Sequence, residues 1–350
     1  MVHRSTKLTF RIFDDRDGLV MNNDIMTLPG IYNEAKKQLA YEFNCSPDDF
    51  SKDENTITTS ILHEKRRKFS EEAFFIQMAT FGKGTVISAD ESIHSWLQEW
   101  IKGKSGIWLF EQHNFFDLEM EIRKSGYKMS LTHHMFLPSS ELINIDTDLK
   151  IKWLEQEEIR EYYGREEFSN AICDHFRADR PDVLAVVALD ENRIMGMAGC
   201  SADSPKLWQI GIDVNPEYRG RGIAKTLVTL LRNEVFRRGA IPYYGTSLSN
   251  LASWKTALSS GFTPAWIEVE SRKLQKKNLQ NDNSRKNVIS EDQIAFMKKI
   301  GISIDFNNIS DDDVIEIEEK VSEHLQKKGF NEDYSPNKDG EMCESILDML

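Results

Sequence analysis

The sequence contains no Cys-x-x-Cys pair, and its four cysteines, Cys45, Cys173, Cys200 and Cys343, are scattered over 350 residues. Neither a zinc site nor a disulfide framework is therefore expected, and a reducing cytoplasm is the natural setting. No apolar run reaches the roughly 18 residues of a membrane-spanning helix, and the opening MVHRSTKLTFRIF lacks the apolar block of a signal peptide. A membrane partner is not expected. An excess of positive charge is missing too: the formal net charge is −13. From Val288 to the end there are 16 acidic and 6 basic residues, a balance of −10 that leaves −3 for everything before it. The acidity belongs mostly to the tail, which argues against nucleic acid as its partner.

What is present is core-forming material. Hydrophobic residues make up 40% and charged residues 29% of the chain, as in globular proteins. At about 100–200 residues per domain, this length predicts two or three domains.

One stretch organises the rest: LWQIGIDV, NPEYRGRGIA and KTLVTLLRNEVFRRGA, from Leu207 to Ala240. Ile210, Ile212 and Val214 alternate with polar or small neighbours and predict a strand. Ile223, Leu227, Leu230, Leu231, Val235 and Phe236 fall at helical spacing and predict an amphipathic helix. Between them, Arg219-Gly220-Arg221-Gly222 sits where the first helical turn forms. About four backbone N–H groups there lack intrahelical partners, and glycines let an anion approach them closely. Arg219, Arg221 and Lys225 add positive charge, so a phosphate or pyrophosphate is the expected ligand.

Spacing narrows the ligand further. A Walker loop needs Gly-x4-Gly-Lys-Ser/Thr, and five residues after Gly220 stands Lys225, out of register. A dinucleotide fingerprint needs a small residue three after the second glycine, and that place is again Lys225. Arg/Gln-x-x-Gly-x-Gly/Ala fits, as Arg219-Gly220-Arg221-Gly222-Ile223-Ala224. With the preceding strand and the Asn215-Pro216-Glu217-Tyr218 lead-in, this closely resembles the acetyl-CoA-binding segment of the GNAT superfamily of acyl-CoA-dependent N-acyltransferases. The resemblance implies a mixed α/β (α+β) fold, a central sheet flanked by helices, with the amides of the turn binding the CoA pyrophosphate. It implies acetyl-CoA as co-substrate, with no metal.

The resemblance covers 148–272, where a strand, helical material from Glu157 to Asp174, three strands, the long helix, IPYYGTS, a helix and a last strand follow in the family's order. Before it, 1–147 is expected to be a degenerate GNAT-like α/β half. Phe74–Ala89 reads as paired strands around Gly82-Lys83-Gly84, Glu91–Ile101 as a short helix and IWLFEQ (107–112) as a strand. A helix from Phe115 to Lys124, Ser125-Gly126-Tyr127 and a strand over Lys128–Leu137 complete it. That closing unit is echoed by Ala252–Ser260, Gly261-Phe262 and Ala265–Val269, each helix stopping on the usual left-handed Gly. Polar, Asn-rich 273–287 reads as a linker. An acidic helical module spans 288–350, with a capping box from Ser290 to Gln293 and further helices from about Asp311 and Glu341.

The same resemblance implies that Ile212 and Val214 lend main-chain groups to the pantetheine arm and the thioester, and that Asn250 lies near the pantetheine. Asn250 reads equally as a helix N-cap, and the two roles are compatible. Proton handling departs from the family. Many relatives carry a Tyr seven residues after that Asn, where Ala257 stands here. Some carry a Glu eleven residues before the first motif Arg, where Trp208 stands. The candidates left are Tyr244 or Tyr243 as the acid for the thiolate and Asp213 as the base, with Glu268 more remote. Asp213 could equally cap local N–H groups. His133-His134 reads as an exposed or cross-strand pair rather than a metal site. The expected activity is acetyl transfer to a primary amine of a small molecule through a ternary complex. The alternative is a non-catalytic acyl-CoA-binding protein whose acidic tail engages a protein partner.

Overall fold

A computed structural model describes residues 27–191, 193–274, 289–306, 309–331 and 336–347. The chain divides into two compact units, 1–274 and 275–350.

In the first unit, α1 (Leu28–Glu42) starts on Thr27, whose hydroxyl accepts a hydrogen bond from the Gly30 amide. Strand β1 (Thr56–Thr59) follows, and then a hairpin of β2 (Ile76–Thr80) and β3 (Thr85–Ala89) turning through Gly82 at φ +90°. Helices α2 (His94–Trp100) and α3 (Gln112–Arg123) lead to β4 (Tyr127–Met129) and β5 (His133–Pro138). Beyond position 148 come β6 (Lys150–Glu155), α4 (Gln156–Ile159), β7 (Asp182–Asp190), β8 (Arg193–Ala202) and β9 (Leu207–Val214). After them come α5 (Ile223–Arg237), β10 (Ile241–Ser247), α6 (Leu251–Ser259) and β11 (Phe262–Lys273).

The eleven strands among the described residues join one sheet, ordered β1-β3-β2-β11-β5-β10-β9-β8-β7-β6, with β4 paired to the far end of β11. Residues on the two sides of position 147 therefore share a sheet, and they do so by exchanging strands. β5, from the first half, lies antiparallel between β10 and β11. The end of β11, from the second half, pairs with β2 on one edge and β4 on the other. The mixed sheet flanked by helices is the expected fold class. The helix, left-handed glycine and aromatic recur as expected, at Gly126-Tyr127 before β4 and at Gly261-Phe262 before β11.

Three local expectations are corrected. Residues 107–112 form no strand: Leu109 alone is buried, and the segment is folded into turns. Thr85 Oγ1 donates to the Gly106 carbonyl, and Asn114 Nδ2 to that of Trp108. The strand expected over 128–137 is broken between β4 and β5. Helical material over 157–174 is limited to α4 and short 3-10 turns at Arg160–Tyr162 and Glu166–Phe168. That segment lies on β7 and β8 through Phe168, Ala171 and Ile172, so packing rather than a helical stripe holds it.

Adjacent strand residues point to opposite faces, and the sheet has a core on each side. On one face, Ile223, Leu227, Leu231 and Val235 of α5 pack on Val186, Ala198, Ile210 and Tyr244. On the other, Ile31, Ala35 and Leu39 of α1 pack with Met135, Leu137, Tyr243 and Trp266. Buried Arg232 of α5 donates to the carbonyls of Ser139 (2.7 Å) and Glu141 (2.9 Å), pinning the connection between the halves.

The second unit contains α7 (Glu291–Lys299), α8 (Asp311–Lys328) and α9 (Lys338–Leu347). Capping boxes pair Ser290 with Gln293 and Ser310 with Asp313. Phe296, Met297, Ile317, Val321, Cys343 and Ile346 form its core. The linker expected over 273–287 lies, from 275 on, outside the described residues.

Candidate active site

The site begins where two parallel strands part. β9 and β10 pair from Leu207 with Ile241 to Ile210 with Tyr244, and no further. Past that rung, β9 continues along β8 to Val214, while β10 continues along β5 to Ser247. The main chain of Gly211–Val214 thus keeps one edge open toward a fork in the sheet. An extended chain can pair with such an edge.

The turn between β9 and α5 stands at the mouth of this fork. Gly222 is the N-cap of α5, and both it and Gly220 have φ +78°. No atom lies within 4 Å of a Cβ built on either, so the space over the turn is open. The first helical bond runs from Thr226 N–H to the Gly222 carbonyl, which leaves the amides of Ile223, Ala224 and Lys225 as first-turn donors. Arg219 is held by a bond from Nε to the Val214 carbonyl (3.0 Å), and Arg221 by a bond from Nη2 to the Glu217 carbonyl (3.2 Å). Arg219, Arg221 and Lys225 are exposed. The arrangement suits a pyrophosphate: amides, dipole and cations converge on space that glycine leaves free.

A cleft of about 1880 Å³ runs from this turn through the fork. Ile212, Val214, Arg219, Gly220, Gly222, Ile223, Ala224, Lys225 and Asn250 all line it. Asn250 caps α6 by accepting from Ser253 N–H at 3.1 Å.

The proton-handling candidates separate sharply. Tyr244 sits on the last paired rung, lines the cleft and points toward α6, with its phenol 2.7 Å from Ser253 Oγ. Burial raises its pKa and keeps it protonated. Tyr243, on the opposite face, is fully buried, is not part of the cleft lining and binds the Asp203 carboxylate. Burial, then Asp203, holds its pKa well above the ordinary value. Asp213 lines the cleft, yet both its oxygens are engaged: Oδ2 accepts from the amides of Asn170 (2.7 Å) and Ala171 (2.9 Å), and Oδ1 from Asn170 Nδ2 (2.7 Å). Asp213 caps N–H groups, though not the local ones expected: they belong to a loop 42 and 43 residues away.

The deep end of the cleft holds a network with no signal in the sequence. Arg67, its side chain 2% exposed, donates to Glu42 and Glu268 at 2.8 Å each. It lies against the rings of Phe69, Tyr243 and Trp266. Glu268 Oε2 also accepts from Trp266 Nε1 at 2.6 Å, while Oε1 has no hydrogen-bond partner among the described residues. Arg180 pairs with Asp203 at 2.7 Å. Arg67 and Glu268 are 201 positions apart, so no local pattern could have joined them. Among the described residues, no three His, Cys, Asp or Glu gather as metal ligands, and no helix is long and apolar enough to cross a membrane.

Residues 149–262 match the family model described as acetyltransferase (GNAT) family. This segment is a GNAT-family domain. Its β9, glycine turn and α5 are the GNAT element that the Leu207–Ala240 pattern predicts. Solved structures similar to the chain include a GNAT-family putative acetyltransferase from Novosphingobium aromaticivorans, at 19% identity over 42% of this chain and 66% of that one, TM-score 0.34. A GCN5-related N-acetyltransferase-like protein from Streptococcus suis matches at 20% identity over 53% and 78%, TM-score 0.35. A putative acetyltransferase from Salmonella typhimurium, solved with its cofactor acetyl-CoA, matches at 15% identity over 37% and 96%, TM-score 0.27. Among curated proteins none matches the chain. The GNAT assignment rests on the family model.

Proposed function

We propose that this GNAT protein transfers an acetyl group from acetyl-CoA to a primary amine of a small molecule, through a ternary complex. One observation carries the reading: the two left-handed glycines and first-turn amides of α5 open into the fork between β9 and β10. An acyl donor held by its pyrophosphate at the turn would run its pantetheine arm along Gly211–Val214, with the thioester at the fork. Bound there, it supplies an activated acyl group and a thiolate leaving group.

The chain's residues then have three tasks. The open edge of β9 orients the donor and offers amides toward the oxyanion that forms when the amine attacks the carbonyl carbon. Tyr244, protonated and on the last rung, donates its phenolic proton to the departing thiolate as the C–S bond breaks, with Ser253 Oγ holding the phenol. The ammonium proton of the acceptor leaves through solvent toward Glu268, whose Oε1 has no hydrogen-bond partner among the described residues. Asp213 has no free oxygen for it, and Tyr243 does not line the cleft.

Calorimetry and a free-thiol assay test the proposal together. Acetyl-CoA should bind the wild type and release thiol only when an amine is added. Gly222→Glu, which places a carboxylate at the φ +78° position, should abolish binding. Retained binding in that variant would overturn the site. Binding by the wild type without thiol release across an amine panel would favour the non-catalytic acyl-CoA-binding reading.

A further inference from the structure

We propose that Asp213 is a positioning residue: it couples the strand that holds the acyl donor to a loop that walls the cleft at the fork, where the amine must meet the thioester. The inference rests on the acetyl-transfer reading above and assigns the Asp213 side chain neither proton transfer nor contact with substrate.

The loop is 169–173, and all five of its residues line the cleft. It is anchored from below by the three Asp213 hydrogen bonds, two from its own consecutive amides. Two glycines let it lie flat on bare sheet. A Cβ on Gly211 would stand 1.9 Å from the Asn170 carbonyl oxygen, and one on Gly199 would stand 2.3 Å from that of Ala171. Both positions would have to shift backbone to accept any side chain. Gly211 is also the first β9 residue past the last rung with β10, so the loop is seated where the fork opens. Behind it, Phe168, Ala171 and Ile172 are packed in a core with Leu154 and Met197.

The consequence follows from the two edges of one strand. Main-chain groups of Gly211–Val214 face the fork, while the Asp213 side chain rises from the sheet to hold the loop. Where β9 goes, the loop follows. Charge-assisted bonds of this kind are strong because the acceptor is ionised, and losing them frees the loop without removing any group from the donor side.

The test is the steady-state kinetics of Asp213→Asn with one amine accepted by the wild type, beside acetyl-CoA affinity by calorimetry. The amide turns an N–H group toward donors that need an acceptor. The KM for the amine should rise about tenfold to a hundredfold, with kcat within about threefold and acetyl-CoA affinity unchanged. Gly199→Ala, whose Cβ would press on the Ala171 carbonyl and lift the loop while leaving the carboxylate in place, should give the same split. Because the two act on one loop, the double variant should be little worse than either single one. A loss of about 10²–10⁴ in kcat for Asp213→Asn at saturating amine would make Asp213 a base and overturn the proposal. Unchanged kinetics with a lowered Tm would reduce the bonds to scaffold and overturn it equally. A wild type that binds no acetyl-CoA, or releases no thiol with any amine, would instead refute the acetyl-transfer reading itself.

Discussion

The phenol of Tyr244 and the hydroxyl of Ser253 lie 2.7 Å apart, joining the last rung of the β9–β10 ladder to the first turn of α6. Ala257, one turn further along the same helix, is fully buried in the core that also holds Tyr244. The phenol at the fork thus comes from the strand, while position 257 of the helix faces the core.

Tyr244→Phe should lower kcat by about 10²-fold, within the range for loss of a positioned acid, and leave acetyl-CoA affinity intact. Since the acid acts in its protonated form and burial raises its pKa, kcat of the wild type should hold through neutral pH. It should fall only above the ordinary tyrosine value of about 10, and the variant should lack that limb. A kcat within twofold of wild type would move the acid elsewhere.

Arg67 holds two carboxylates in the cleft's interior, so Arg67→Met strands Glu42 and Glu268 without a cation. Urea denaturation should show a loss of about 3–5 kcal/mol. Replacing Arg67, Glu42 and Glu268 together by Met, Gln and Gln should recover most of it. If the triple variant were no more stable than Arg67→Met, stranded charge would not be the cause.

Asp182 is buried, and burial raises its pKa despite the Cys173 amide that donates to it at 3.1 Å. A carboxyl whose folded pKa lies above its unfolded value stabilises the fold only while protonated, and stability falls as pH rises through the folded value. Asp182→Asn should therefore raise Tm at pH 8, and the gain should shrink toward pH 4. A gain independent of pH would point to packing instead.

Strand exchange predicts that neither half folds by itself. A fragment 148–274 leaves β10 and β11 without the β5 strand that pairs with both, and should show no cooperative thermal transition. Mixing it with 1–147 during refolding should restore one. By contrast, truncation after Leu274 removes a separate compact unit, and acetyl-CoA affinity should remain within twofold of the full chain. Loss of binding on that truncation would tie the acidic module to the site.

The donor side of the site was legible because its signals are local. Strand alternation, two glycines and the apolar stripe of α5 all lie within 34 residues, and each constrains its neighbours through backbone geometry. The capping box at Ser290 was legible for the same reason. The strand expected at 107–112 does not form because Ile107-Trp108-Leu109-Phe110 lacks the alternation that would bury one face. Turn-forming bonds from Thr85 and Asn114, distant in sequence or hidden in a helix, decided that segment. The candidates Tyr243 and Tyr244 could not be separated in sequence, since only pairing register tells which face of β10 meets α6.

The sequence by itself determined the phosphate-binding turn, the strand and helix around it, and so the family that residues 149–262 match. Glycine torsions and first-turn amides are properties of a short stretch of chain. The tertiary structure decided which phenol stands at the fork, what Asp213 holds, and that Arg67 meets Glu268 across 201 positions. It also decided that the two halves complete one another's sheet. Those outcomes depend on strand order and register, which are set by how distant apolar faces pack together and are written in no single segment.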